Sequence, residues 1–165
     1  LKNNIWSDPI TINEDNWKIH GCPVNGPSID SNGELVAVAW FTLSNGEPTI
    51  NLKFSKDNGE SFGSLIKIND DGTRPIGRID LEMLKDGNVI VSWIDVKNGL
   101  GKISLRKVDL NGNISEIINP SNISTKRISG FPQIQNINND IILSFTKDAK
   151  TKKNIETFKI PVSLF

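Results

Sequence analysis

Three arginines, Arg74, Arg78 and Arg127, stand in short polar stretches that each precede an apolar segment of this chain. A guanidinium fork matches the two oxygens of a carboxylate with parallel hydrogen bonds, so a set of arginines is suited to gripping an acidic ligand. Asn25 and His20 occupy a comparable stretch further upstream, where an amide and an imidazole would add donors and acceptors. Proton transfer would fall to Asp95 or to Glu82, although Glu82 lies inside a strand-like run. The chain has one His, one Cys and no Tyr, so it cannot assemble a zinc site of the usual His and Cys type. No metal site within the chain and no cofactor are expected.

Each of these residues also has a structural explanation. Arg78 would form an ion pair with Asp80 or Asp95, and Arg127 would belong to a solvated loop with Lys126. His20 would be a hydrogen-bonded loop residue, and Cys22 a buried or disulfide-linked thiol. Trp17 and Trp40 are either sugar-stacking platforms or packing residues.

The elements that would position them come in a repeat of about fifty residues. The apolar runs 35–41, 89–94 and 141–145 superimpose when Trp40, Trp93 and Phe145 are aligned, with steps of 53 and 52 residues. Each run is short and rich in β-branched residues, which predicts a buried strand. Ahead of each lies a second strand-like segment, at 26–30, 77–84 and 130–135, joined to it through Asn, Asp and Gly. A third, alternating strand follows at 50–55, 103–108 and 155–160, and a fourth is predicted at 65–69 and 114–118. The polar stretch 147–154 is expected to be an enlarged hairpin loop. Four antiparallel strands per fifty residues, the second of them the most apolar, predict an all-β chain built of β-propeller blades.

Trp6-Ser-Asp-Pro-Ile-Thr-Ile-Asn13 aligns with Phe62-Gly-Ser-Leu-Ile-Lys-Ile-Asn69. On that alignment residues 1–13 are the outer strand of a preceding blade, 20–69 and 74–121 are whole blades, and 127–165 is a blade lacking its outer strand. Because propellers have about four to eight blades, three blades predict part of a larger ring, six-bladed on this count. The missing blades would come from the same chain or from a second copy.

Composition removes several function classes. The 165 residues carry 19 basic and 19 acidic side chains, leaving no positive surplus with which to neutralise a nucleic-acid backbone. No apolar run approaches the length of a membrane-spanning helix, and no targeting signal is visible. The two Asn-x-Ser sequons, at Asn113 and Asn122, are read as chance in an Asn-rich chain.

Ser55-Lys-Asp57-Asn-Gly59-Glu-Ser61-Phe62 fits the pattern Ser-x-Asp-x-Gly-x-Ser/Thr-Phe/Trp. Asp57 is expected to accept hydrogen bonds from the turn's own amides, Gly59 to take a positive φ, and Phe62 to plug the space between adjacent sheets. Val108–Ile114 looks like a degenerate copy. This segment, with Trp17-Lys-Ile-His-Gly-Cys-Pro-Val-Asn-Gly-Pro27, Gly77-Arg-Ile-Asp80 and Val91-Ser-Trp93, resembles the Asp-box or BNR propellers of the sialidase-like superfamily, in particular bacterial secreted proteins classed as exo-alpha-sialidase-like. The resemblance implies a glycan-binding or glycan-hydrolysing propeller, exported to the periplasm or cell surface. It places the Asp box on the face opposite the ligand site, and Arg74, Arg78 and Arg127 among the residues that would hold a substrate carboxylate. It also implies that Cys22 has a disulfide or metal partner outside this chain. Sialidases use a Tyr nucleophile, which this chain lacks, so the portion present is not a complete sialidase. The alternative is a non-catalytic propeller that binds a protein, a glycan or a metal through the same face.

Overall fold

The computed structural model describes residues 6–19, 25–148 and 153–165. They form three antiparallel sheets in chain order. The first is a meander of β1 (Ser28–Asn32), β2 (Leu35–Thr42), β3 (Thr49–Ser55) and β4 (Ile66–Lys67). The second holds β5 (Arg74–Pro75), β6 (Asp80–Met83), β7 (Val89–Lys97), β8 (Leu100–Val108) and β9 (Ile118–Ile123), with β5 and β6 both paired to β7. The third consists of β10 (Gln133–Ile137), β11 (Asp140–Asp148) and β12 (Lys153–Pro161). Among the described residues helix is confined to single 3-10 turns, and no helix is long and apolar enough to cross a membrane.

The middle sheet explains why the second strand of each repeat is so apolar. Val89, Val91 and Trp93 face the first sheet, in a core with Ala37, Ala39, Ile50, Leu52 and Phe54. Ile90 and Ile94, on the opposite side of the same strand, join Ile103 and Leu105 in a core against Ile134, Ile141, Leu143 and Phe145 of the third sheet. Successive side chains of a strand point to opposite faces, so a strand covered on both sides must be apolar throughout. Full burial of each Val, Ile or Leu contributes about 1.5–3 kcal/mol relative to exposure.

Carboxylates tie the first strands of neighbouring sheets together. Asp30 Oδ2 on β1 accepts from Met83 N on β6 at 2.7 Å, and Glu82 Oε1 on β6 accepts from Asn136 N on β10 at 2.9 Å. Asp80 Oδ2 accepts from Ile134 N at 2.7 Å. The inner strands thus lie side by side while the sheets stack face to face, which is the arrangement of propeller blades around a channel. The chain is all-β and contributes three blades of a β-propeller.

The turn after β3 forms as its residues dictate. Asp57 Oδ1 accepts from Ser61 N at 2.9 Å and from Ser55 Oγ at 2.6 Å, while Gly59 N donates to Ser55 Oγ at 2.8 Å. Gly59 takes φ 83°, and half-buried Phe62 lies with Phe54 and Ile66 beside Leu110 of the second blade. The Ser61 hydroxyl also donates to Asp57 Oδ2, and the bonds from the Ser55 and Ser61 hydroxyls, then from the Ser61 amide, pull Asp57 down from 3.8 to about 2. Asp109 closes the corresponding turn of the second blade, accepting from Asn111 N and Asn113 N at 2.9 and 2.8 Å.

Three expectations are corrected. The fourth strand of the middle blade is not at 114–118: Ile114 makes an isolated bridge to Val108, and the strand forms at Ile118–Ile123 with a register shift against Ile103 and Leu105. Pro120, which lacks an N–H, interrupts regular pairing there, and Ile123 is the residue that is buried. The loop expected at 147–154 is narrower at its ends, where Lys147 pairs with Asn154 and Asp148 with Lys153, and 149–152 lie outside the described residues. Residues 6–13 of the predicted outer strand are not a strand, since no strand among the described residues lies beside them to take their backbone hydrogen bonds. Residues 6–11 are exposed, and the segment meets the first blade at Ile12, whose carbonyl accepts from Lys53 Nζ at 2.7 Å. Further along, Asp15 Oδ2 accepts from Trp40 Nε1 at 2.7 Å and Trp17 packs edge-on to Phe41 with ring centroids 5.7 Å apart. Trp17 and Trp40 are therefore packing residues.

Candidate functional site

The site residues collect where the chain approaches each inner strand. β5 and the residues after it run along the end of β7, with Ile76 N donating to Ile94 O and Ile94 N to Gly77 O. Between β5 and β6 the backbone makes two left-handed residues in succession, Gly77 at φ 81° and Arg78 at φ 56°. Gly77 has a steric reason to lack a side chain: a Cβ there would lie 2.6 Å from Asn25 Cγ. The Asn25 amide clamps this turn, donating from Nδ2 to Ile76 O at 2.8 Å and accepting from Arg78 N at 3.2 Å. A non-glycine residue in this conformation costs about 1–3 kcal/mol, and the clamp holds it.

The turn aims the Arg78 guanidinium across to the third blade. Its Nη1 donates to Ser129 Oγ at 2.7 Å and its Nη2 to Thr125 O at 3.1 Å. Ser129, fully buried, is placed by the 3-10 turn Arg127–Ser129 that leads into β10. Arg78 itself is 7% exposed, and the ion pairs among the described residues do not include it. The expected pairing with Asp80 or Asp95 does not form, because both carboxylates are turned onto backbone amides. Burial first, and then the positive charge of Arg127, lower the Arg78 pKa, so the guanidinium sits in a locally positive and poorly solvated setting.

Asp95, near the end of β7 and 8% exposed, accepts through Oδ1 from Arg74 N at 2.9 Å and Val96 N at 2.8 Å. Burial raises its pKa against the pull of those two amides. Glu82 is elsewhere, on the inner strand β6, where Oε1 accepts from Asn136 N and from Gln135 Nε2, both at 2.9 Å. Its pKa is also raised, by burial first and by the nearby Asp30 and Asp80 charges. A polar groove over the inner strands is lined by Asp30, Asp80, Glu82, Lys85, Gln133 and Gln135.

The structure therefore unites Asn25, Arg78 and the Arg127 turn, joins Arg74 to Asp95 through a backbone bond, and leaves Glu82 apart. Arg74 and Arg127 are exposed. His20 and Cys22 lie outside the described residues, among which no group of three His, Cys, Asp or Glu side chains is placed to hold a metal ion. Ser129, Thr125 and Asp30 were not singled out by the sequence, and Asp80 was expected only as an ion-pair partner of Arg78. Asp30 and Glu82 occupy the same place in successive blades, so the repeat itself carried a signal for that pair.

No family model matches the chain, and no curated protein is similar enough in sequence to count as a relative. Solved structures do resemble it. A thermostable family-43 glycoside hydrolase superimposes with a TM-score of 0.52 at 12% identity, over 79% of this chain and 48% of that one. The Hadza microbial sialidase Hz136 gives a TM-score of 0.47 at 13% identity, over 75% of this chain and 28% of its own. An endo-arabinanase of glycoside hydrolase family 43 from Bacillus licheniformis gives 0.43 at 17% identity, over 81% and 50%. The chain spans about half the length of these proteins or less. At such identities the first of these likenesses supports the fold alone.

Proposed function

We propose that this protein is a sialidase-like, Asp-box propeller that binds glycans carrying a carboxylate, at the cell exterior, through the face bearing Asn25, Arg78 and Arg127. The observation that carries this is Arg78. A guanidinium that is nearly enclosed, held by neutral oxygens only and set beside a second arginine is costly unless an anion joins it. A sugar carboxylate would supply the missing charge in the bidentate geometry that arginine favours. The Ser55–Phe62 turn supports the Asp-box assignment, with Asp57 bonded to its own loop rather than presented to a ligand.

Binding is favoured over hydrolysis within this chain by a further observation. Asp95 and Glu82, the carboxylates considered for proton transfer, are both engaged by two donors, and no Tyr is present. Immobilised glycans and a fluorogenic sialoside test the proposal together. Retention of sialylated over neutral glycans, without turnover, is expected. Equal retention of neutral glycans, or retention unaffected by Arg78→Met, would refute it.

A further inference from the structure

The backbone that leads from β9 to β10 is folded around one hydroxyl. Ser129 Oγ accepts from Arg78 Nη1 at 2.7 Å and offers its single proton to Ser124 O at 2.6 Å and Lys126 O at 2.9 Å. Between those two carbonyls, Thr125 O accepts from Arg78 Nη2 at 3.1 Å. Three consecutive carbonyls are thereby turned onto the Ser129 and Arg78 side chains, and Lys126 N donates back to Ser124 Oγ at 3.2 Å. Ser129 is fully buried, whereas Thr125, Lys126 and Arg127 are exposed.

The turn that carries Arg127 is too short to hold this shape by its backbone. It is a single 3-10 turn, Arg127–Ser129, with no side chain capping its start. Its backbone bonds are Ser129 N to Lys126 O and Gly130 N to Arg127 O, both at 3.2 Å. Such turns have poor hydrogen-bond geometry, and a segment with few backbone bonds opens readily. The Ser129 hydroxyl supplies the missing ties, back to Ser124 and Lys126 within the loop and across to the second blade through Arg78. The guanidinium polarises that hydroxyl, which strengthens its donation to the carbonyls.

The effect falls on Arg127. Its charge is near enough to Arg78 to lower the Arg78 pKa, and like charges repel, so a loosened turn would let the exposed Arg127 swing away. We propose that Ser129 is a positioning residue: its hydroxyl holds the Arg127 turn beside the Arg78 guanidinium so that both arginines meet one ligand carboxylate, a role that rests on this face taking a carboxylate. A guanidinium has five N–H donors, and the loop engages only part of the Arg78 set, which leaves donors for a ligand. Pre-placing the Arg127 backbone reduces the freedom lost on binding.

Titration with N-acetylneuraminic acid and its methyl ester, together with limited trypsin digestion, tests this. Ser129→Ala should bind the acid ~10-fold more weakly and the ester unchanged. Arg127→Met should lose at least as much, and the double variant no more than Arg127→Met alone, because Ser129 acts through Arg127. A serine that only stabilised the fold would lower the melting temperature and leave the preference of the folded chain for acid over ester as it was. In the free chain, trypsin should cut after Lys126 and Arg127 at least ~10-fold faster in Ser129→Ala, and faster also in Arg78→Met, with cutting at other lysines unchanged. A wild-type preference for the acid that Ser129→Ala retains, additive losses, or unchanged cutting at 126 and 127 would overturn the positioning role alone. A wild-type chain with no preference for the acid would overturn the carboxylate reading of the face and the positioning role with it.

Discussion

Arg78→Met separates a ligand-binding arginine from a structural one. The substitution keeps the length and the unbranched Cβ that the left-handed turn accepts, and removes the charge. Two bonds are lost, to Ser129 Oγ and to Thr125 O. Hydrogen bonds to a charged group contribute about 1.5–3 kcal/mol each, so the gross loss is about 3–6 kcal/mol. Against it stands the desolvation of a guanidinium that is 7% exposed and has no counter-ion among the described residues, a cost of several kcal/mol that methionine abolishes. The two nearly cancel, and the net change should stay within about 2 kcal/mol. For a domain of this size that is a melting shift of roughly 4–8 °C or less. Binding of an acidic sugar should be lost in the same variant. Thermal unfolding followed by circular dichroism, with a binding titration on the same samples, measures both. A destabilisation of about 3–5 kcal/mol, the signature of a broken buried charge pair, would refute the argument that Arg78 lacks a counter-ion.

Gly77→Ala should cost about 1–3 kcal/mol through its positive φ, and more through the collision with Asn25. Adding Asn25→Ala should recover the collision part, so thermal melts of the two single variants and the double should be less than additive. Asp57 has its pKa lowered to about 2, so the stability it contributes is present above 3.8 and lost as pH falls from there to about 2. Urea melts across that range should show a steeper acid loss for the wild type than for Asp57→Asn. Asp80 is shifted the other way, by burial first, so protonation favours the folded chain and stability rises as pH falls through its raised pKa towards 3.8. Asp80→Asn keeps an acceptor for Ile134 N and should melt no lower than wild type at neutral pH. A clear loss there would show that the charge itself is needed.

The blades were legible because burial on both faces leaves a continuous apolar run, and 35–41, 89–94 and 141–145 are such runs. Trp40, Trp93 and Phe145 gave the repeat its register. Outer strands were harder, since their positions depend on how the preceding turn ends. The Asp109 turn and Pro120 moved the fourth strand of the middle blade from the Ile114 region to Ile118–Ile123. Residues 6–13 carry a strand pattern, but a strand needs a neighbour, and pattern alone does not provide one. At the site, the arginines were visible by type while their partners were not. Ser129 and Thr125 lie about fifty residues from Arg78 and meet it only because the third blade stacks on the second. The ion pair expected with Asp80 or Asp95 failed for a related reason: backbone amides of neighbouring strands claimed both carboxylates first.

The most direct measurement is a calorimetric titration of the wild-type chain with N-acetylneuraminic acid and with its methyl ester, which differ in a single charge. The acid should bind, the ester at least ~10-fold more weakly, and Arg78→Met should bind neither. Equal affinity for acid and ester, or unchanged binding by Arg78→Met, would contradict the assignment of this face to a carboxylate-bearing glycan.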